Sequence, residues 1–184
     1  SVPFSSERKW STVECEGVMV VAGAPDRLAP QGSECDDVIS SAQSSGKRVL
    51  PVGIARGPVS EEYALPKVDP LAAVVIADPI RNTASDTLAY FKQEGIDLKL
   101  ISGDDPTTVS SLAMQAGFPS DSRPVDMTGV TDEDEIARLA RTRSIFGRVS
   151  PQQKQRLVRA LRTDGHTVAM TGDGVNDLLA LREA

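Results

Sequence analysis

No apolar run approaches the roughly 18 residues that mark a membrane-spanning helix, and no leader of the secretory kind opens the chain. Neither a spanning segment nor a signal peptide is therefore expected. No block of Lys and Arg stands out. The 20 basic residues are outnumbered by 26 acidic ones, giving a net charge of −6 mixed along the chain. That balance argues against a nucleic-acid or membrane-surface footprint. Cysteine is scarce: Cys15 and Cys35 share no CxxC spacing and have no histidine nearby. They read as reduced thiols rather than a disulfide framework. The one histidine, His166, sits in the turn Asp164-Gly165-His166 and reads as a loop residue. There is no internal repeat and no low-complexity tract.

What is present is ordinary for a globular chain: 184 residues, 40% apolar and 25% charged. That is enough for one large domain or two small ones. Both ends read as cut, the first in Ser1-Val2-Pro3-Phe4 and the second inside a growing helix, so a piece of a longer protein is expected. The first 77 residues show little helical periodicity. Short strands are expected over 16–22, 48–55 and 71–77, the last almost wholly apolar and so buried on both faces, with a short helix over 36–44. This half predicts an α+β domain with an antiparallel sheet.

From Asp78 the texture changes to strands alternating with amphipathic helices. Helices are expected over 83–94 (Leu88 and Phe91 on one face), 106–116, 132–142, 151–162 (Leu157, Val158 and Leu161 inward) and from Asn176 onward. Strands are expected over 98–101, 144–147 and 167–170. The alternation predicts an α/β domain, a parallel sheet covered by helices, over 78–184. Ligands of such sheets bind beyond the carboxyl ends of the strands.

Three strand tips carry chemistry. The sharpest is Thr171-Gly172-Asp173-Gly174-Val175-Asn176-Asp177. Asp173 would sit at a strand tip and Asp177 one helical turn later, where two carboxylates can hold Mg²⁺ directly or through water. A lone Gly-Asp-Gly would read as a capped turn; the complete string favours the metal. The second is Ser102-Gly103-Asp104, between a strand and a helix. A hydroxyl, a bare glycine amide and a helix N-terminus make an anion site, though the same text also describes an ordinary capped turn. The third is Lys154, in the first turn of a helix, where the dipole disfavours a cation unless an anion faces it; alone it reads as a solvated lysine. Together they suit phosphoryl transfer, which depends on positioning and charge neutralisation.

The motifs Ser102, Lys154 and Asp173 to Asp177 resemble those of the haloacid-dehalogenase superfamily. Flanking text narrows the resemblance to the P-type ATPases. Thr171 to Asp177 followed by Ala180-Leu181 resembles the hinge motif, Asp78-Pro79-Ile80-Arg81 the start of the phosphorylation domain, and Arg148, Pro151 and Lys154 the Arg-x-x-Pro-x-x-Lys pattern. Upstream, Phe4-Ser5-Ser6-Glu7-Arg8-Lys9, Gly23-Ala24-Pro25-Asp26 and Arg48-Val49-Leu50 resemble successive stretches of the nucleotide-binding domain. The text is similar to bacterial cation pumps, the actinobacterial E-type calcium transporters among them.

The resemblance implies a haloacid-dehalogenase-like, Rossmann-like sheet with helices on both faces over 78–184. Part of a nucleotide-binding domain precedes it over 1–77. It implies ATP and Mg²⁺ as cofactors. Phe4 would stack on adenine, with Ser6, Lys9, Gly23 and Arg48 around the nucleotide. Asp78, Arg81 and Arg148 would help close the two domains on it; Ser102, Gly103, Asp104 and Lys154 would hold the phosphoryl group. Asp173 would ligate Mg²⁺, supported by Asn176 and Asp177; in the piece alone, Asp173 is expected hydrated or paired with Lys154. The parent would hydrolyse ATP through an aspartyl-phosphate to move a cation, with this portion on the cytoplasmic face of the membrane. Its partners would be ATP, the transported cation, and further parts of the same polypeptide: membrane helices, an actuator domain and the segment bearing the phosphorylated aspartate.

The chain departs from the family's pattern in places. The phosphorylated aspartate and its motif are absent, so the piece alone is expected to be inactive, and a missing central strand leaves a partner chain, a domain swap or a rearranged sheet all open. Ala22 replaces the usual lysine before Gly-Ala-Pro, and Ser102 replaces threonine. Phe4 could instead be an N-terminal core aromatic, and Trp10 is expected to pack rather than stack. Two rivals remain. A soluble phosphatase of the superfamily would need an Asp-x-Asp near the amino terminus, which is not there. A non-catalytic nucleotide-binding module need not keep Asp173 and Lys154.

Overall fold

The computed structural model describes residues 1–5, 8–29, 35–57, 64–65, 67–118, 123–172 and 174–184. The chain divides into two compact units, Ser1–Asp78 and Pro79–Ala184.

The first unit is a four-stranded antiparallel sheet in the order β1-β2-β3-β4: β1 Trp10–Cys15, β2 Val18–Gly23, β3 Arg48–Ala55 and β4 Val68–Ile76. Between β2 and β3 lie a short helix α1 (Pro25–Leu28) and α2 (Asp36–Ser44). Along β3, buried and half-buried positions alternate from Val49 to Ala55, the period of a strand with one covered face. Trp10, Val21, Leu28 and Ala55 form one core cluster, and Ala29, Ile39 and Val49 another. Trp10 packs, as expected. β1 escaped the sequence reading because one of its two inward positions is Thr12, whose buried hydroxyl accepts from the Val2 N–H at 3.1 Å.

The expectation that 71–77 is buried on both faces is corrected. β4 is an edge strand, and Leu71, Val74, Val75 and Ile76 are all exposed, Leu71 by 65%. An apolar run reports burial only where a layer covers each face.

The second unit holds a three-stranded parallel sheet in the order β5-β7-β6, from β5 Leu100–Ile101, β6 Val125–Asp126 and β7 Ile145–Gly147. Its helices are α3 (Ala84–Gln93), α4 (Pro106–Gln115), α5 (Glu133–Thr142), α6 (Pro151–Thr163) and α7 (Leu178–Glu183). Central β7 is buried throughout. Met127, Ile136, Leu139, Phe146, Val149 and Leu157 form the main core beside it. The helix starts follow from capping chemistry. Asp105 accepts from the Thr107 N–H at 2.9 Å, Asp132 from that of Glu135 at 2.8 Å, and Ser150 and Gln153 form a reciprocal capping box. The Gln153 amide also donates to the Met127 and Val130 carbonyls at 2.7 Å each, tying the exit of β6 to α6.

Two further expectations, at 167–170 and from Asn176, are revised. Residues 167–170 form no strand: among the described residues no strand pairs with them, and they are exposed or half-buried. Helix α3 forms as expected but buries none of its residues completely. The helix expected from Asn176 opens as a 3₁₀ turn, Val175–Asp177, before α7. Among the described residues, no helix is long and apolar enough to cross a membrane.

Candidate functional site

In the second unit the parallel strands end side by side, and their exits are laced together. The Ser102 N–H donates to the Phe146 carbonyl at 3.0 Å, the Val149 N–H to the Ser102 carbonyl at 3.0 Å, and the Arg148 N–H to the Asp104 carbonyl at 2.7 Å. The turn after β5 is thus bound to the turn after β7. Within it, the Ser102 hydroxyl accepts from the Asp104 N–H at 3.1 Å and lies 3.4 Å from the Asp104 carboxylate. Gly103 is exposed, and an added Cβ would come no closer than 3.9 Å to anything, at the Val149 carbonyl oxygen. This is a capped turn with an exposed glycine at its tip.

Lys154 follows on α6. It is buried, and its ammonium donates to the Asp177 carboxylate at 2.6 Å, with the two side chains 10% and 13% exposed. Asp177 supplies an anion of the kind a first-turn lysine needs. The ammonium's hydrogen bond, its charge and the Gly174 N–H hold the Asp177 carboxyl below the usual carboxylate range, against the opposing push of burial. Asn176 is exposed beside it. Asp173 lies outside the described residues.

In the first unit, Phe4 is 61% exposed, which removes the core reading and leaves its ring available. Lys9 adopts a left-handed φ of 62°, and its carbonyl accepts from the Ala24 N–H at 2.8 Å. This close approach explains Gly23: a Cβ there would lie 2.7 Å from the Lys9 carbonyl oxygen and 2.6 Å from the Trp10 Cβ. The Lys9 ammonium stands 3.5 Å from Asp26. Arg48 and Asp78, both exposed, pair at 3.1 Å. Arg81, in the second unit, is exposed, and Ser6 lies outside the described residues. The fold thus joins Lys9 to Gly23-Ala24 and Arg48 to Asp78 in one unit, and Ser102–Asp104 to Arg148 and Lys154 to Asp177 in the other.

Comparison with known proteins gives the family. The model of the haloacid dehalogenase-like hydrolases matches residues 8–184. This chain belongs to the haloacid dehalogenase-like hydrolases. Among similar proteins, the probable cation-transporting ATPase exp7 of Streptococcus pneumoniae is 45% identical over 187 aligned residues, all of this chain and 24% of that protein. Calcium-transporting ATPase CtpE of Mycobacterium tuberculosis is 38% identical, over all of this chain and 23% of its own length. Calcium-transporting ATPase type 2C member 2 of the mouse is 31% identical, over all of this chain and 22% of that protein. The chain spans about a quarter of the length of the curated relatives it matches.

For a haloacid dehalogenase-like hydrolase, Mg²⁺ is the implied ion. The described residues do not build a cage for it. No three metal-capable side chains cluster among them, and Asp177 is already committed to Lys154. The sequence reading also passed over two acidic residues that the site engages. Asp105 and Asp126 both face Arg148, at 2.8 and 3.4 Å. Asp105 announces itself only as the cap before Pro106; nothing local marks Asp126.

Proposed function

We propose that this chain is the ATP-binding and phosphoryl-transfer portion of a P-type ATPase that hydrolyses ATP through an aspartyl-phosphate and moves a cation, calcium being the ion its relatives' names favour. The observation that carries the reading is the gathering of an open turn, Ser102–Asp104, and a buried lysine on a carboxylate at the exits of adjoining parallel strands and the helix that follows. Its whole-chain likeness to cation-transporting ATPases adds support. The rest of the parent, on this reading, supplies membrane helices, an actuator domain and the phosphorylated aspartate, and places this portion at the cytoplasmic face.

Each residue then has a task. The Ser102 hydroxyl and the Gly103 N–H donate to the oxygens of the transferred phosphoryl group, and the Lys154 ammonium offsets its charge. Asp104 holds the serine hydroxyl in place. Mg²⁺ would be taken by Asp173 together with phosphate oxygens, in keeping with an ion that prefers one or two carboxylates and several waters; Asn176 and Asp177 would support that loop. Phe4 stacks on adenine, with Ser6, Lys9, Gly23 and Arg48 around the nucleotide. Asp78, Arg81 and Arg148 serve closure of the two units on it.

The nucleotide assignment is checked by titrating the chain with ATP and following backbone amides. We expect shifts at Phe4, Lys9 and Gly23 with a dissociation constant near millimolar. One stacked ring and a few polar contacts supply about −4 kcal/mol, which corresponds to that affinity. Ala22→Lys should tighten binding by restoring a cation. Binding unchanged by Phe4→Ala would remove the adenine site from the segment around Phe4.

The phosphoryl assignment is checked in the full-length parent. Asp173→Asn should abolish the hydroxylamine-labile phosphoenzyme and leave ATP binding nearly unchanged. Loss of nucleotide binding with phosphorylation intact would reverse the two assignments.

A further inference from the structure

Arg148 occupies a left-handed backbone conformation, φ 52°, which costs a non-glycine residue free energy and needs compensation. Three contacts supply it. The Arg148 N–H donates to the Asp104 carbonyl at 2.7 Å, one guanidinium nitrogen donates to Asp105 at 2.8 Å, and another stands 3.4 Å from Asp126. Asp105 closes the turn that begins at Ser102, and Asp126 is the last residue of β6. One side chain therefore spans the exits of all three parallel strands. The Arg148 and Asp105 side chains are 28% and 21% exposed, so their pair is only partly screened; Asp126, 45% exposed, is the weaker arm.

We propose that Asp105 and Asp126 are positioning residues. By holding the Arg148 guanidinium across the strand exits, they fix the Ser102–Asp104 turn in the shape that receives a phosphate group. The anion-binding half of this inference rests on the phosphoryl-site reading above; the clip itself does not. Arginine suits the task because its rigid fork presents separate nitrogens to two carboxylates in a fixed geometry, where a lysine offers a single point charge on a flexible stem. Asp105 carries two duties on two oxygens, one accepting from the Thr107 N–H as helix cap and the other meeting Arg148. Asparagine caps a helix as well as aspartate does. Asp105→Asn therefore removes the charge that holds Arg148 and spares the start of α4.

The test uses the 184-residue chain, amide hydrogen exchange and titration with inorganic phosphate. In Asp105→Asn, exchange at the Arg148 and Val149 amides should quicken about tenfold, as loss of a charge-assisted hydrogen bond implies, while the amides of α4 stay protected. Asp105→Glu should restore protection. Phosphate-induced shifts at Gly103 and Asp104 should need several-fold more phosphate in Asp105→Asn and recover in Asp105→Glu, a rescue that a general loss of packing would not give. Asp126→Asn should give the same pattern about threefold weaker, and it decides the matter if Asp105→Asn fails to fold.

Unchanged exchange at Arg148 and Val149 in both asparagine variants overturns the clip. Quickened exchange with unaltered phosphate affinity overturns its link to the anion site. Failure of the unsubstituted chain to shift at Gly103 with phosphate overturns the phosphoryl-site reading instead, and the exchange result then still decides the clip.

Discussion

Gly147→Ala is expected to unfold most of the parallel-sheet unit at temperatures where the unsubstituted chain is intact. Gly147 is the last residue of β7, the central and wholly buried strand, and α4 begins against it. A Cβ on Gly147 would lie 2.6 Å from both the N and Cα atoms of Pro106, and 2.8 Å from its Cγ. These are backbone and ring atoms that cannot rotate aside. Pro106 opens α4, and its neighbour Asp105 is held by Arg148, so relief must come from moving the helix or the strand. Overpacking of this kind costs about 3 kcal/mol, which for a unit of this size is a fall in melting temperature of about 10–15 °C. Gly103→Ala is the control. Its Cβ meets nothing closer than 3.9 Å, so it should melt within about 1 kcal/mol of the unsubstituted chain. Equal melting of the two alanine variants would mean that β7 and α4 do not meet as described.

Gly147 and Pro106 show where reading the sequence stops. Pro106 is legible as a first-turn proline, and Asp132 and Ser150 as helix starts, because capping is local chemistry between residues two or three apart. Helices α4, α5 and α6 accordingly form within a residue or so of expectation. The contact of Gly147 with Pro106 joins residues 41 apart, and no local pattern signals it. The same holds for strands. Residues 167–170 have the apolar text of one, yet a strand exists only when a neighbour takes its N–H and C=O groups, and among the described residues none does. β4 has the text of a central strand and lies at an edge. β1 has a polar inward position and was invisible. At the candidate site, the need of Lys154 for a facing anion was legible from its unfavourable place in the first turn, but its burial was not, since alone it reads as a solvated lysine. Its partner was not, because Asp173 and Asp177 are equally good anions on paper; the fold gives Asp177 to Lys154.

Lys154→Met should then be strongly destabilising. It keeps much of the side chain's volume but leaves the Asp177 carboxylate, 13% exposed, without its cation. Removing one partner of a pair this enclosed costs about 3 kcal/mol at neutral pH. The pH dependence separates this from a packing defect. The Lys154 hydrogen bond depresses the folded-state pKa of Asp177, so the pair's contribution is complete above the ordinary aspartate value of about 4 and fades as the pH falls through the lower, folded-state value. In Lys154→Met that depression is gone, and burial favours the protonated acid. The stability gap between the two proteins should therefore be largest near neutrality and shrink steadily as the pH is lowered below about 5. Lys154→Met combined with Asp177→Asn should recover most of the loss, since no buried charge remains. Urea melts of the four proteins across pH 3 to 8 measure all of this. A gap that stays constant with pH, or a double variant no better than Lys154→Met, would show that Lys154 serves the core through its stem and not through its charge.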